Sequence, residues 1–151
     1  MNILIPYNFS RSDEKTVDYV IENFSGNKDA EVDILHLYIP MPSISADRTT
    51  VLNRMSESLN YLNKRITELE TELDAVKASF VRSGFPEEKV KTFFKAKQKT
   101  IAQEIIDMAQ NKPYDMVILN RATKTITGFF SGSVFTKVVS SLKNIPVLVL
   151  T

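Results

Sequence analysis

Gly132-Ser133-Val134 is the stretch of this sequence whose residue types best suit an anion. It opens an apolar-periodic segment, so it reads as the start of a helix. Glycine lets a ligand approach the backbone, and the free N–H groups and positive helix end favour phosphate. Ser133 adds a hydroxyl, and Arg121 and Lys124 lie upstream as cations. The same Gly-Ser reads equally well as a plain helix cap. A second candidate segment, Pro6-Tyr7-Asn8-Phe9-Ser10, follows the first apolar run. His36 sits inside another apolar run. A general base needs a partner within hydrogen-bond reach, and none is evident, so a hydrogen-bonded core histidine is the better reading. Lys89, Lys91, Lys95, Lys97 and Lys99 surround Phe93 and Phe94. Such interleaving suits single-stranded nucleic acid, but it also suits an edge strand guarded by lysine, which we favour.

Other chemistry is excluded by composition. With no cysteine there is no thiolate nucleophile, cysteine zinc site or disulfide scaffold, and a single histidine excludes a multi-histidine metal cage. A net charge of +1 argues against bulk binding to nucleic acid or an anionic membrane. No apolar run approaches the ~18 residues of a spanning helix, and Met1 to Pro6 lacks the basic flank of an export signal, so a cytoplasmic location is expected.

The elements that must position these residues follow from periodicity. Asn2 to Pro6, Val32 to Ile39, Val90 to Ala96, Asp115 to Leu119 and Pro146 to Leu150 read as strands. Between them lie helical patterns. Ser10 and Asp13 form a capping box ahead of Val17, Val20, Ile21 and Phe24. Ile101, Ile105, Ile106 and Ala109 share one side of another helix, and Val134, Val138, Val139 and Leu142 of a last one. From about Thr50 to Arg82 glycine and proline are absent, and Leu52, Met55, Leu59, Leu62, Ile66, Leu69, Leu73, Val76 and Phe80 alternate three and four apart. A helix of ~33 residues spans ~50 Å, more than a sheet needs, so an end that overhangs could meet a second subunit.

Alternating strands and helices predict one α/β domain over residues 1–151, with an open parallel five-stranded sheet covered on both faces. Ligands of such sheets bind beyond the carboxyl ends of the strands where the winding reverses. The segments after the first and fourth strands, from Pro6 and from Asn120, border that crevice. The last strand is apolar throughout, a hazard at a sheet edge that pairing with a second copy removes.

Taken in order, several pieces resemble the universal stress protein family along essentially the whole chain. They are Ile3 to Ser10, Ile34 to Tyr38, Asp115 to Leu119, Gly128-Phe129-Phe130-Ser131-Gly132-Ser133-Val134, Thr136 to Val139 and Ile145 to Val149. The resemblance implies an adenine nucleotide alpha-hydrolase-like fold with strand order 3-2-1-4-5, and a homodimer through the last strand, Pro146 to Leu150. It implies that some members bind ATP and others do not. In the ATP-binding pattern an aspartate follows the first strand, and Gly-x2-Gly-x9-Gly-Ser/Thr follows the fourth. Here Asn8 stands for the aspartate, Asn120 for the first glycine, and Ala122 or Thr123 for the second, in a loop one residue shorter; Gly132 and Ser133 match. Asn8 keeps a hydrogen-bonding amide without the charge, and a β-carbon in place of glycine crowds a phosphate.

Three functions compete. The first is a non-catalytic, dimeric stress-response protein sensing an adenine nucleotide. Pro6, Tyr7 and Asn8 would border base and ribose, Leu37 would offer its backbone to the base, and Asn120, Gly132, Ser133 and Val134, beside Arg121, would hold phosphates. Magnesium would come only with ATP, largely on its phosphates. The second is a nucleotide-free module of the same fold that binds another protein. The third, a hydrolase, lacks both a nucleophile-elbow pattern around Ser133 and a Walker lysine loop.

Overall fold

The computed structural model describes residues 1–40, 49–121 and 132–151, with only the chain path for 49–55. Among these residues five strands alternate with four helices. They are β1 (Asn2–Pro6), α1 (Arg11–Phe24), β2 (Glu31–Tyr38), α2 (Thr49–Arg82), β3 (Val90–Ala96), α3 (Ile101–Asn111), β4 (Met116–Asn120), α4 (Gly132–Ser141) and β5 (Val147–Leu150). A 3₁₀ turn, Glu87–Lys89, leads into β3. The strands form one sheet in the order β3-β2-β1-β4-β5, every pairing parallel, as the periodicity and the resemblance lead one to expect.

Strand residues alternate between two cores because successive side chains point to opposite faces. Ile3, Ile5, Val32, Ile34 and Ile118 face Val17 and Val20 of α1 and Leu73 and Phe80 of α2. Leu4, Leu35, Leu37, Val117 and Leu119 face Ala102, Ile105, Ile106 and Ala109 of α3 and Val138 of α4. Both faces are therefore apolar, which is why the strands read as continuous apolar runs. Each large aliphatic side chain fully buried this way contributes about 1.5–3 kcal/mol.

Local signals set the ends. Ser10 caps α1 and closes the capping box with Asp13, and Thr100 caps α3 through its side chain. After α2 the chain turns at Gly84, whose φ of +105° is costly for any residue with a β-carbon. β3 is one edge of the sheet, as its lysines suggest, and Phe93 and Phe94 pack inward rather than outward.

α2 is longer than the sheet it covers. Burial begins at Leu73, and between Ser56 and Glu72 no described residue is fully buried. Leu62 is 42% exposed and Tyr61 69%. Among the described residues no helix is long and apolar enough to cross a membrane.

Candidate functional site

Parallel pairing brings the carboxyl ends of β2, β1 and β4 to one edge of the sheet. Pro6 is the last residue of β1, Leu37 lies near the end of β2, and Asn120 ends β4. Tyr7 continues the ladder by donating its N–H to the Leu35 carbonyl at 2.8 Å. Leu37 has its side chain buried against α3, so what it can offer a ligand is backbone.

The segment after β1 wraps around one carboxylate. Asp13 is fully buried at the third position of α1. Its Oδ2 accepts from the Asn8 N–H at 2.9 Å, the Ser10 N–H at 3.0 Å and the Ser10 hydroxyl at 2.8 Å. Phe9 takes a φ of +58° to let the chain turn there, a left-handed conformation costing roughly 1–2 kcal/mol outside glycine. The other oxygen, Oδ1, accepts from the Asn120 side-chain amide across the crevice. The ends of β1 and β4 are thus tied through one acidic side chain. Sequence shows only its local half, the capping box. Asn120 is 4% exposed, and its Oδ1 is buried without a hydrogen-bond partner among the described residues.

Aromatic rings run outward from this point. Tyr7 meets Phe9 edge-on at 5.1 Å between centroids, and Phe9 meets the His36 imidazole at 4.9 Å. His36 stacks on Phe94 at 5.5 Å, and Phe94 on Tyr38 at 4.7 Å. His36 Nδ1 lies 2.9 Å from the Tyr7 carbonyl oxygen. Burial lowers the His36 pKa, against the opposing pull of that carbonyl and of Asp13 and Glu72. This is the hydrogen-bonded core histidine of the sequence reading. The Tyr7 phenol is pushed up to about 12 by burial and by the charges of Asp13 and Glu14.

On the far side of β4, Arg121 is exposed and donates its N–H to the Leu150 carbonyl at 2.8 Å. Its guanidinium lies 6.0 Å from the centre of the Phe135 ring. Gly132 and Ser133 open α4 and are exposed, and Val134 packs against the α3 side of the core. A β-carbon built on Gly132 would meet nothing within 4 Å among the described residues. Packing among the described residues therefore does not require glycine there, whereas a ligand resting on the backbone would. A cavity of about 410 Å³ lies beside Asn120 and Arg121, bounded by Ser12, Lys15 and Tyr19 of α1 and the end of β5. Ala122, Thr123, Lys124 and Gly128 lie outside the described residues.

One buried charge has no counterpart in the sequence reading. Asp33, 1% exposed in the middle of β2, accepts from Lys112 Nζ at 2.7 Å and from the Tyr114 hydroxyl at 2.6 Å, both on Oδ2. An aspartate inside an apolar strand was its signal. Nearby, Lys95 pairs with Glu104 at 3.6 Å and Lys99 with Asp107 at 2.5 Å, so these lysines of the β3 region already have acidic partners.

The chain matches the model of the universal stress protein family over residues 1–151. No curated protein matches it. Among solved structures it is similar to the hypothetical protein MJ0577, with 25% identity and a TM-score of 0.70 over 99% of this chain and 94% of that one. It is similar to the universal stress protein UspA from Lactobacillus plantarum, with 18% identity and a TM-score of 0.70 over 100% of this chain and 97% of that one. A universal stress protein from Archaeoglobus fulgidus, solved in complex with dAMP, has 14% identity and a TM-score of 0.64 over 100% of this chain and 98% of that one. The α/β fold with its 3-2-1-4-5 parallel sheet is shared with these structures, and the chain belongs to the universal stress protein family.

Proposed function

We propose that this universal stress protein acts without catalysis, as one domain and as a homodimer, by binding an adenine nucleotide in the crevice after β1 and β4. The observation that carries the reading is Gly132. It opens α4 at the carboxyl edge of the sheet, where a β-carbon would meet nothing within 4 Å among the described residues and a helix N-terminus turns its backbone N–H groups and positive end toward an anion. Ser133 and Arg121 add a hydroxyl and a positive charge, Pro6, Tyr7 and Asn8 border base and ribose, and the Leu37 backbone faces the base. The Archaeoglobus relative holding dAMP supports adenine as the base. When bound with ATP, magnesium supplies charge neutralisation of the phosphates and takes most of its ligands from them. Among the described residues no cluster of three or more His, Cys, Asp or Glu is placed to hold a metal by itself.

Absence of catalysis rests on the same residues. His36 is buried in an aromatic stack against the Tyr7 carbonyl, and Asp13 is fully engaged in bracing the crevice. Neither is placed to take a proton from water attacking a phosphate. The homodimer rests on β5, an edge strand of four half-buried apolar residues.

Thermal unfolding with and without millimolar ATP and magnesium tests the reading, because a ligand of the native state must raise the midpoint. At 100 times Kd the gain is about 2.7 kcal/mol. An unchanged midpoint with ATP, AMP and dAMP rejects it. A second reading, a nucleotide-free module that binds another protein, is favoured by Asn8 and Asn120. The latter's amide is committed to Asp13 where the family's ATP pattern has glycine. Continuous phosphate release beyond one equivalent per chain would instead make the protein a hydrolase.

A further inference from the structure

The cavity beside Asn120 holds polar groups that the nucleotide reading leaves unused. Ser12, Lys15 and Tyr19 lie three and four residues apart, so one side of α1 forms its wall. The end of β5, Val149 to Thr151, closes the other side. At about 410 Å³ the space suits a small molecule. The Lys15 ammonium and the Ser12 and Tyr19 hydroxyls have no partner among the described residues. Three donors, one of them charged, therefore surround one space. Ser12 also sits in the first turn of α1, where the helix dipole favours negative charge.

Donors alone would describe a site for any anion. Asn120 adds the group that discriminates. By strand alternation its side chain falls on the α1 face, as that of Ile118 does two residues earlier. Its amide nitrogen must be the end that meets Asp13, because a carboxylate only accepts. The carbonyl Oδ1 is left as an acceptor, buried and unpartnered among the described residues, on a side chain that lines the cavity. Native proteins seldom leave such an atom without a donor.

We propose that this cavity binds a phosphate group that still carries a proton. Lys15, Ser12 and Tyr19 donate to its oxygens, and its P–OH donates to Asn120 Oδ1. A fully deprotonated oxyanion has acceptors only. It would set its lone pairs against Oδ1 and leave that atom unsatisfied. Asp13, the carboxylate behind Asn120, is already compensated by two backbone N–H groups, the Ser10 hydroxyl and the Asn120 amide. The site is separate from the one proposed at Gly132. Arg121, the next residue, turns its guanidinium toward α4, 6.0 Å from the centre of the Phe135 ring.

Calorimetric titration of the full-length protein with inorganic phosphate, sulfate and methyl phosphate tests the proposal at pH 8 and constant ionic strength. Inorganic phosphate keeps a proton at that pH and sulfate has none. Methyl phosphate loses its last proton above ~6. Phosphate should bind, and the other two should bind roughly tenfold or more weakly, as a site built around a hydrogen bond rejects an analogue that lacks it. At pH 5.5 methyl phosphate regains its proton. Binding there extends the ligand to phosphate monoesters, and no binding confines it to free phosphate; both outcomes support a protonated phosphate. Lys15→Gln, at an exposed position, should weaken phosphate binding by roughly tenfold or more, and Ser12→Ala should weaken it less. The proton requirement is read on the unaltered protein, so it needs no change at Asn120. No phosphate binding, sulfate or pH 8 methyl phosphate binding as tightly as phosphate, or phosphate binding that survives Lys15→Gln unchanged, overturns the inference.

Discussion

The Asp13 carboxylate accepts the Asn120 amide from across the crevice, joining residues 107 apart in sequence. It does so while its other oxygen holds two backbone N–H groups and the Ser10 hydroxyl. Replacing it should therefore cost more than an ordinary cap. Asp13→Ala removes the carboxylate half of the capping box, worth about 1 kcal/mol, and strands a buried amide, worth about 1–3 kcal/mol. The expected loss is about 2–4 kcal/mol, read as a lower urea midpoint with an unchanged slope. Ser10→Ala, which keeps the carboxylate, should lose less than half as much.

Gly132 separates folding from binding. No described atom would meet a β-carbon there, and at the first residue of α4 alanine is as compatible with the helix as glycine. Gly132→Ala should leave the ligand-free thermal midpoint unchanged or slightly raised. The ATP-induced rise should shrink or vanish. A full rise in the variant would show that the nucleotide does not rest on this backbone.

The Asp33 cluster should behave as a unit. Lys112→Met leaves a buried carboxylate with Tyr114 as its one remaining partner on Oδ2. Breaking a buried pair from one side costs about 3–5 kcal/mol, and the partial exposure of Lys112 lowers the expectation to about 2–3 kcal/mol. The triple change Asp33→Leu, Lys112→Met, Tyr114→Phe should recover most of that loss, because no uncompensated charge remains. Chemical denaturation of the single and triple variants measures the difference.

Stability should fall at both ends of the pH range, for opposite reasons. Burial lowers the His36 pKa, so the unfolded chain takes up its proton first. The native state then loses ground as pH drops through the unfolded value near ~6.5. His36→Gln should flatten that slope in urea midpoints taken between pH 5 and 8. For tyrosine the sign reverses. Tyr7 is raised to about 12, and Tyr114 is raised further by burial and by its hydrogen bond to Asp33. The native state holds these protons more tightly, so its advantage is complete below ~10 and is lost as pH rises above that value. Ultraviolet titration should find two of the five tyrosines ionising late.

Pairing through β5 predicts a mass change of its own. Val149→Lys places a charge in the half-buried apolar edge. Sedimentation should show the assembly losing that contact, with secondary structure retained. If the mass is unaltered, β5 is not where copies meet.

Most of the fold was legible because its signals are local. Pro6, Ser25-Gly26 and Ser83-Gly84 punctuate the chain, and the periods between them name strand or helix. α2, expected from about Thr50 to Arg82, spans Thr49–Arg82, and its overhang followed from length alone. The Ser10–Asp13 box was legible because its two halves lie three residues apart. The reach of Asp13 to Asn120 and of Asp33 to Lys112 was not, since no local pattern encodes which distant polar group a buried carboxylate will meet. Asn120 shows the same boundary. Its position in the crevice could be read from strand order, but the commitment of its amide could not.

The ring series from Tyr7 through Phe9, His36 and Phe94 to Tyr38 leads from the crevice to the lysine-lined edge. The chain has no tryptophan, so no stronger fluorophore masks its tyrosines. Tyr7, buried just after β1 at the carboxyl edge of the sheet, begins the series and Tyr38 ends it. Intrinsic emission and near-ultraviolet dichroism therefore give an unlabelled optical gauge of whatever enters.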